Sequence, residues 1–153
     1  MKMMFICTGN ICRSAMAHWL MKKKLEEKNE NDIEVYSSGI FAMKNDASTE
    51  EAIEVIKEYG VDLTNHRAMR TNESDIEKMD LILCMTISHK QSLFQMYPNL
   101  KNKIYTLKEY VGMAEKGIEI KDPWGYDISV YRYCAAEIDK ALDKLIDKIQ
   151  KIQ

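Results

Sequence analysis

The sequence predicts an α/β fold with three layers, in which a parallel sheet of four strands is flanked by helices on both faces. The pattern of apolar residues predicts it. Short apolar runs alternate along the chain with segments whose apolar residues recur every three or four positions. Such alternation is typical of parallel sheets that are covered by helices. The length of 153 residues suits one domain, which we expect to occupy residues 1–153.

The predicted strands are four short apolar stretches bounded by polar or turn residues: Met3–Cys7, Ile33–Ser37, Leu81–Met85 and Lys103–Thr106. The first and third are almost entirely apolar, as expected of central strands that are buried on both faces. In such a sheet a ligand binds at the carboxyl ends of the strands, which is where Cys7 lies.

Helical spacing predicts four main helices. The first follows Ser14, the second ends at Gly60, which acts as a helix stop, and the third begins after Thr86. The longest runs from about Ile128 to Ile149. Its inner face carries apolar residues at helical spacing, namely Ala135, Ile138, Leu142, Leu145, Ile146 and Ile149.

The first strand leads into the loop Cys7-Thr8-Gly9-Asn10-Ile11-Cys12-Arg13-Ser14. A strand that turns at a glycine and opens a helix directs backbone N–H groups and the helix dipole at one point, which predicts an anion site. ATP-binding loops of this kind end in Gly-Lys-Ser/Thr, whereas here Arg13 takes the place of the lysine. The loop between Cys7 and Arg13 can surround a tetrahedral oxyanion, with the guanidinium binding two of its oxygens.

The loop also suits nucleophilic chemistry. Inward N–H dipoles and Arg13 favour the thiolate of Cys7, which would face the central atom of the bound anion. Arg13 would stabilise the charge of a phosphoryl transition state. Ser14 either donates a hydrogen bond to the thiolate or is an ordinary serine in the first turn of a helix. Asn10 is predicted to have a positive φ, which asparagine tolerates better than most residues.

The block CTGNICRS resembles C-x-G-N-x-C-R-S, the signature of the low-molecular-weight protein tyrosine phosphatase family. Asp122-Pro123-Trp124-Gly125 is similar to the Asp-Pro loop of that family, and Val35–Gly39 and Asn65–Ala68 are similar to two further segments. The resemblance covers nearly the whole chain, and Thr106–Tyr110 brings it closest to a bacterial branch that includes protein-arginine phosphatases. It implies a Rossmann-like sheet with the strand order 2-1-3-4.

The resemblance implies that the protein hydrolyses phosphotyrosine in phosphorylated proteins through a cysteinyl-phosphate intermediate. Asp-Pro alone often initiates a turn. A tyrosine leaving group, with a pKa of about 10, nevertheless needs an acid, and Asp122 is expected to act first as general acid and then as general base. Inorganic phosphate is the expected product, and no cofactor or metal is expected.

Further site residues follow from the same resemblance. Thr8, Gly9, Asn10, Ile11, Cys12 and Ser14 would complete the phosphate-binding loop. Ser37 and His66 would support Asn10 by hydrogen bonds. Phe41 and Trp124 would form aromatic walls, although Phe41 is nearly as well explained by partial burial in the core. Cys12 would form a reversible disulfide with Cys7 under peroxide.

Three alternatives remain open. Protein-arginine phosphatases carry threonine where this chain has Ile11, so phosphoarginine ranks second to phosphotyrosine. Arsenate reductases need two further thiols about seven residues apart, but Cys84 is followed by Gln91 at that spacing. A module that only binds phosphate would tolerate the loss of Cys7, Arg13 or Asp122, and all three are present.

The charge and the apolar content of the chain indicate which kinds of partner and location to expect. The 22 basic and 24 acidic residues give a net charge of −2, which favours neither nucleic acid nor an anionic membrane as a partner. No apolar run reaches the ~20 residues of a membrane span, and the apolar part of Met1–Cys7 is too short for a signal peptide, so we expect a cytoplasmic protein. A monomer is the default expectation for its oligomeric state. A chain of this size does not need disulfides, so its cysteines are interpreted as thiols.

Overall fold

Four parallel strands form one sheet in the order β2-β1-β3-β4, which confirms the predicted order. The computed structural model describes residues 1–152. The strands are β1 (Lys2–Cys7), β2 (Glu34–Gly39), β3 (Leu81–Cys84) and β4 (Ile104–Thr106). β1 pairs with β2 along its whole length, so that Cys7 lies opposite Gly39 at the carboxyl end of the sheet.

Five α-helices accompany the sheet within residues 1–152: α1 (Arg13–Glu27), α2 (Glu50–Lys57), α3 (Ile87–Met96), α4 (Leu107–Tyr110) and α5 (Ile128–Ile152). Short 3-10 turns cover Thr71–Glu73, Ile76–Lys78, Pro98–Lys103 and Ala114–Lys116. The four predicted helices are confirmed, although α2 ends three residues before Gly60. None of the helices in the described part of the chain is long and apolar enough to cross a membrane.

Alternation along β1 divides the core into two parts. Met3 and Phe5 pack with apolar residues of α1, α2 and α5, whereas Met4 and Ile6 pack on the other face with Leu93 of α3. Successive strand side chains point to opposite faces, so a strand that is apolar throughout serves both parts. The sheet is therefore the middle of three layers, and its carboxyl edge presents the loop from Cys7 to Arg13.

Candidate active site

The loop between β1 and α1 is held in an unusual conformation at Asn10. The φ angle of this buried residue is 56°, which confirms the prediction of a positive value. Its side-chain amide donates to Ser14 Oγ at 2.8 Å and accepts from the backbone N–H of Met69 at 3.0 Å. A left-handed conformation outside glycine is unfavourable, so these contacts help to maintain the shape of the loop.

His66 contacts the backbone of Asn10. Its Nε2 lies 2.8 Å from the carbonyl oxygen of Asn10, and its Nδ1 lies 2.8 Å from Trp19 Nε1. An indole N–H only donates, so Nδ1 must be the acceptor and the ring proton lies on Nε2, which donates to Asn10. Burial lowers the pKa of His66, which favours this neutral form.

Ser37 does not support Asn10 as the resemblance implied. Its hydroxyl lies 2.7 Å from Nδ1 of His18. Ser37 pairs with Phe5 in the sheet, so both side chains face the layer that contains α1, and His18 belongs to this helix. The amide N–H of Met69 contacts Asn10 instead.

Gly39 explains why the end of β2 can approach the loop. A Cβ at this position would lie 2.5 Å from the carbonyl oxygen of Thr8 and 2.8 Å from the backbone nitrogen of Asn10. Both are backbone atoms, which cannot move aside as the end of a flexible side chain would. Any larger residue at position 39 would therefore displace the loop.

The thiol of Cys7 receives hydrogen bonds from its own loop. The backbone N–H of Asn10 donates to Cys7 Sγ at 3.2 Å, and Ser14 Oγ lies 2.9 Å from the same sulfur. Ser14 Oγ accepts from the amide of Asn10, and its own proton has two acceptors in reach, the sulfur at 2.9 Å and the carbonyl oxygen of Ser38 at 3.5 Å. Of the two readings of Ser14, the contact with the thiol is the one that the geometry supports.

Arg13 and Asp122 meet beside this thiol although 108 residues separate them in the chain. Arg13 Nη1 donates to the carbonyl oxygen of Ile120 at 3.0 Å, and Nη2 lies 3.6 Å from Asp122 Oδ2. Within residues 1–152, the buried Nε of Arg13 has no hydrogen-bond acceptor. The Asp122 carboxylate is half-exposed and accepts from the backbone N–H of Trp124 at 3.1 Å.

These groups line one cavity of about 270 Å³. Its lining consists of Cys7, Thr8, Gly9, Ile11, Cys12, Arg13, Asp122 and Trp124. Phe41 is not among these residues, and its side chain is 67% exposed, so the alternative of partial burial in the core is wrong. Trp124 is the aromatic residue in this lining.

Cys12 has surroundings different from those of Cys7. Its Sγ lies 3.4 Å from the Tyr131 hydroxyl and 3.6 Å from Thr49 Oγ1. Burial raises the pKa of Cys12 to about 11. All four cysteines are free thiols, as the sequence predicts.

The sequence does not predict the roles of three further residues around the loop. Trp19 donates a hydrogen bond to His66, which contacts Asn10, while Tyr131 and His89 contact Cys12 and Thr8 directly. His89 Nε2 lies 2.9 Å from Thr8 Oγ1 across 81 residues of sequence. The one local signal for His89 is Thr86, three residues earlier, which caps the start of α3. Nothing in the sequence pairs His89 with Thr8.

A parallel sheet of this order that carries this loop is the architecture of solved low-molecular-weight phosphatases. A tyrosine phosphatase structure from T. tengcongensis is 42% identical, covers 97% of this chain and 99% of that one, and has a TM-score of 0.90. The model of the family described as low molecular weight phosphotyrosine protein phosphatase matches residues 2–153. The chain therefore belongs to this family and is an enzyme of the protein phosphatase class.

Relatives within the family are named for two substrates. A protein-arginine-phosphatase of Geobacillus stearothermophilus is 36% identical over 99% of this chain and 98% of its own length. A tyrosine phosphatase, PtpB, of Staphylococcus epidermidis is 35% identical over 95% of this chain and 96% of its own. The structure of the arginine phosphatase YwlE as a cysteine-to-serine mutant with a phosphorylated active-site serine has a TM-score of 0.91 at 34% identity, covering 99% and 97% of the two chains.

Proposed function

We propose that this protein hydrolyses phosphotyrosine in cytoplasmic phosphoproteins through a cysteinyl-phosphate intermediate, with residues 1–153 acting as one phosphatase domain. The observation that carries the proposal is the convergence of a thiol, a guanidinium and a carboxylate on one cavity, namely those of Cys7, Arg13 and Asp122. The cavity also has an aromatic wall, Trp124, and a buried Arg13 Nε with no acceptor within residues 1–152. This donor is free to bind a phosphoryl oxygen.

In the first step the Cys7 thiolate attacks phosphorus. An S–P bond forms while the bond from phosphorus to the phenolic oxygen breaks, and protonated Asp122 transfers its proton to that oxygen. Arg13 and the backbone N–H groups of the loop stabilise the charge on the phosphoryl oxygens. Asp122 lines the cavity and is half-exposed, which suits a group that must reach the leaving oxygen.

In the second step water hydrolyses the cysteinyl phosphate. Asp122, now ionised, takes a proton from the attacking water while a new O–P bond forms and the S–P bond breaks, which releases inorganic phosphate. The hydroxyl of Ser14, 2.9 Å from Cys7 Sγ, stabilises the thiolate as it leaves. A relative trapped with phosphate on the serine that replaces its active-site cysteine supports a phosphorylated residue at this position.

The cavity favours an aromatic substrate. Ile11 and Trp124 both line it, and their apolar side chains suit the phenyl ring of phosphotyrosine. Phosphoarginine is the second candidate, because the arginine phosphatase of Geobacillus stearothermophilus is 36% identical to this chain. Ile11 lacks the hydroxyl with which threonine could orient a planar guanidinium, so we rank phosphotyrosine first.

The test compares hydrolysis of an aryl phosphate without added metal by the wild type, Cys7→Ala and Asp122→Ala. Cys84→Ala is the matched control, because Cys84 is a buried thiol in β3 that does not line the cavity. We expect Cys7→Ala to abolish turnover, Asp122→Ala to lower kcat by about 10²–10⁴-fold, and Cys84→Ala to retain activity. Activity that survives in Cys7→Ala would overturn the mechanism.

The same assay ranks the substrates. We expect kcat/KM to be higher for a phosphotyrosine peptide than for a phosphoarginine peptide, and Ile11→Thr to shift the ratio toward phosphoarginine. A higher kcat/KM of the wild type for phosphoarginine would reverse the ranking while leaving the role of Cys7 intact.

A further inference from the structure

A chain of three side chains runs from the cavity into the start of α3. Thr8 lines the cavity, and its Oγ1 lies 2.9 Å from Nε2 of His89. His89 Nδ1 lies 3.0 Å from Oγ1 of Thr86, which caps α3 by accepting from the backbone N–H of His89 at 3.2 Å. His89 is only 7% exposed, so the imidazole connects an exposed threonine of the loop to the cap of a helix.

The imidazole of His89 is neutral at pH 7. Burial, and then the nearby Arg13 guanidinium, lower the pKa of His89 to about 4. A neutral imidazole donates through one nitrogen and accepts through the other. The hydrogen bonds of His89 with Thr8 and Thr86 therefore share one donor-to-acceptor direction: His89 donates to one hydroxyl and accepts from the other.

The hydrogen bonds at Thr86 favour one of the two directions. If the Thr86 hydroxyl donates to Nδ1, its proton is used and its oxygen still accepts the cap hydrogen bond. In the reverse direction the Thr86 oxygen would accept twice, and its own proton would have no acceptor within residues 1–152. Buried or half-buried hydroxyls are usually satisfied, so the first direction is preferred. It places the ring proton on Nε2, donating to Thr8.

We propose that His89 is a positioning residue that holds the Thr8 hydroxyl as a hydrogen-bond donor toward an oxyanion in the cavity. With Nε2–H donating to Thr8 Oγ1, the proton of Thr8 is free for an acceptor other than His89. Successive hydrogen bonds polarise one another, so Thr8 donates more strongly than an isolated hydroxyl would. This inference rests on the proposed function only in taking the oxyanion to be a phosphoryl group.

The first test observes the ring directly. In the ¹⁵N-labelled wild type with inorganic phosphate at pH 7, we expect the nitrogen shifts of His89 to report the tautomer protonated on Nε2. The tautomer protonated on Nδ1 would overturn the proposal, and this measurement needs no variant and no turnover.

The second test measures phosphate affinity in matched pairs. Thr8→Val keeps the shape and removes the hydroxyl, and we expect it to weaken phosphate binding by about 10- to 100-fold, as for one hydrogen bond to a charged group. Thr8→Ser keeps the hydroxyl and should bind as the wild type does. His89→Gln retains a donor for Thr8 and should preserve most of the affinity, whereas His89→Asn, too short to reach Thr8, should behave like Thr8→Val.

The double variant Thr8→Val/His89→Asn separates positioning from general damage to the fold. If His89 acts through Thr8, the double variant binds phosphate no more weakly than Thr8→Val alone. Additive losses, or unchanged binding in Thr8→Val, would overturn the proposal. Wild-type protein that binds phosphate with these properties but hydrolyses no ester would refute the proposed function and leave this inference standing.

Discussion

Cys7 and Cys12 lie in one loop but have opposite chemical surroundings. The sulfur of Cys7 accepts from the Asn10 N–H, lies beside the Ser14 hydroxyl and faces the cavity that Arg13 also lines. Cys12 is buried, its pKa is raised to about 11, and its sulfur contacts Tyr131. At pH 7 the loop therefore has one cysteine suited to attack and a second that stays a protonated thiol.

This difference predicts how the loop responds to peroxide. Peroxide oxidises the Cys7 thiolate to a sulfenic acid, and the thiol of Cys12 condenses with it to form a disulfide and water. We expect the wild type to regain most of its phosphatase activity when a thiol reductant is added. Cys12→Ser should have a measurable initial activity but recover several-fold less, because its sulfenic acid proceeds to irreversible oxidation.

Mass spectrometry of the oxidised wild type should then find a Cys7–Cys12 disulfide. Cys134→Ser is the control, because Cys134 is a buried thiol outside the cavity lining. Equal recovery in Cys12→Ser and in the wild type would show that Cys12 does not protect Cys7.

Helix α1 contacts the surroundings of the loop in two places. Its first residue, Arg13, binds Ile120 and approaches Asp122 at the cavity. One and a half turns later, His18 stacks on Trp19 with ring centroids 4.5 Å apart, and Trp19 donates to His66 behind the loop. The helix thus supplies the Arg13 charge on the cavity side of the loop, and through Trp19 it orients His66, which contacts the carbonyl oxygen of Asn10.

Trp19→Phe tests this support, because phenylalanine keeps an aromatic ring and removes only the N–H donor. His66 Nδ1 then loses its donor, and the hydrogen bond to the Asn10 carbonyl is less well fixed. We expect kcat/KM to fall about fivefold, as for the loss of roughly 1 kcal/mol from one hydrogen bond. The measurement is steady-state hydrolysis of an aryl phosphate, with urea unfolding in parallel.

Tyr105→Phe is the matched control, since it removes one aromatic donor, the 3.4 Å hydrogen bond to Asn102, away from the loop. It should leave kcat/KM unchanged. If Trp19→Phe and Tyr105→Phe have the same kcat/KM, Trp19 has no positioning role.

For the whole molecule, the sequence is informative where a feature is local. The loop from Cys7 to Ser14 and the strands that alternate with helices follow from contiguous residues, so both can be predicted. Helix α4 cannot be predicted in this way, because its four residues are too few to show a periodic pattern, although Thr106 and Glu109 form a capping box there. The contact of His89 with Thr8 and that of Ser37 with His18 arise only when distant segments pack together.

The three histidines also predict how the stability of the whole molecule depends on pH. Burial lowers the pKa of His18 to about 3 and that of His89 to about 4, and it also lowers the pKa of His66. In the unfolded chain each histidine has a pKa of about 6.5. Below that value the unfolded state binds protons that the folded state does not, so the free energy of unfolding must fall as the pH decreases.

Each histidine that is protonated only in the unfolded state contributes a slope of about 1.4 kcal/mol per pH unit. We expect urea unfolding between pH 7 and pH 5 to show stability falling with a slope that approaches uptake of two protons, one each for His18 and His89, and His66 adds to this slope in the same direction. Asp62 and Asp127, whose pKa values are lowered by hydrogen bonds from Thr64 and Ser129, affect stability only at lower pH. His18→Gln should reduce the slope by one proton, since glutamine does not titrate. Stability that stays constant over this range would mean that the histidines become protonated in the folded protein.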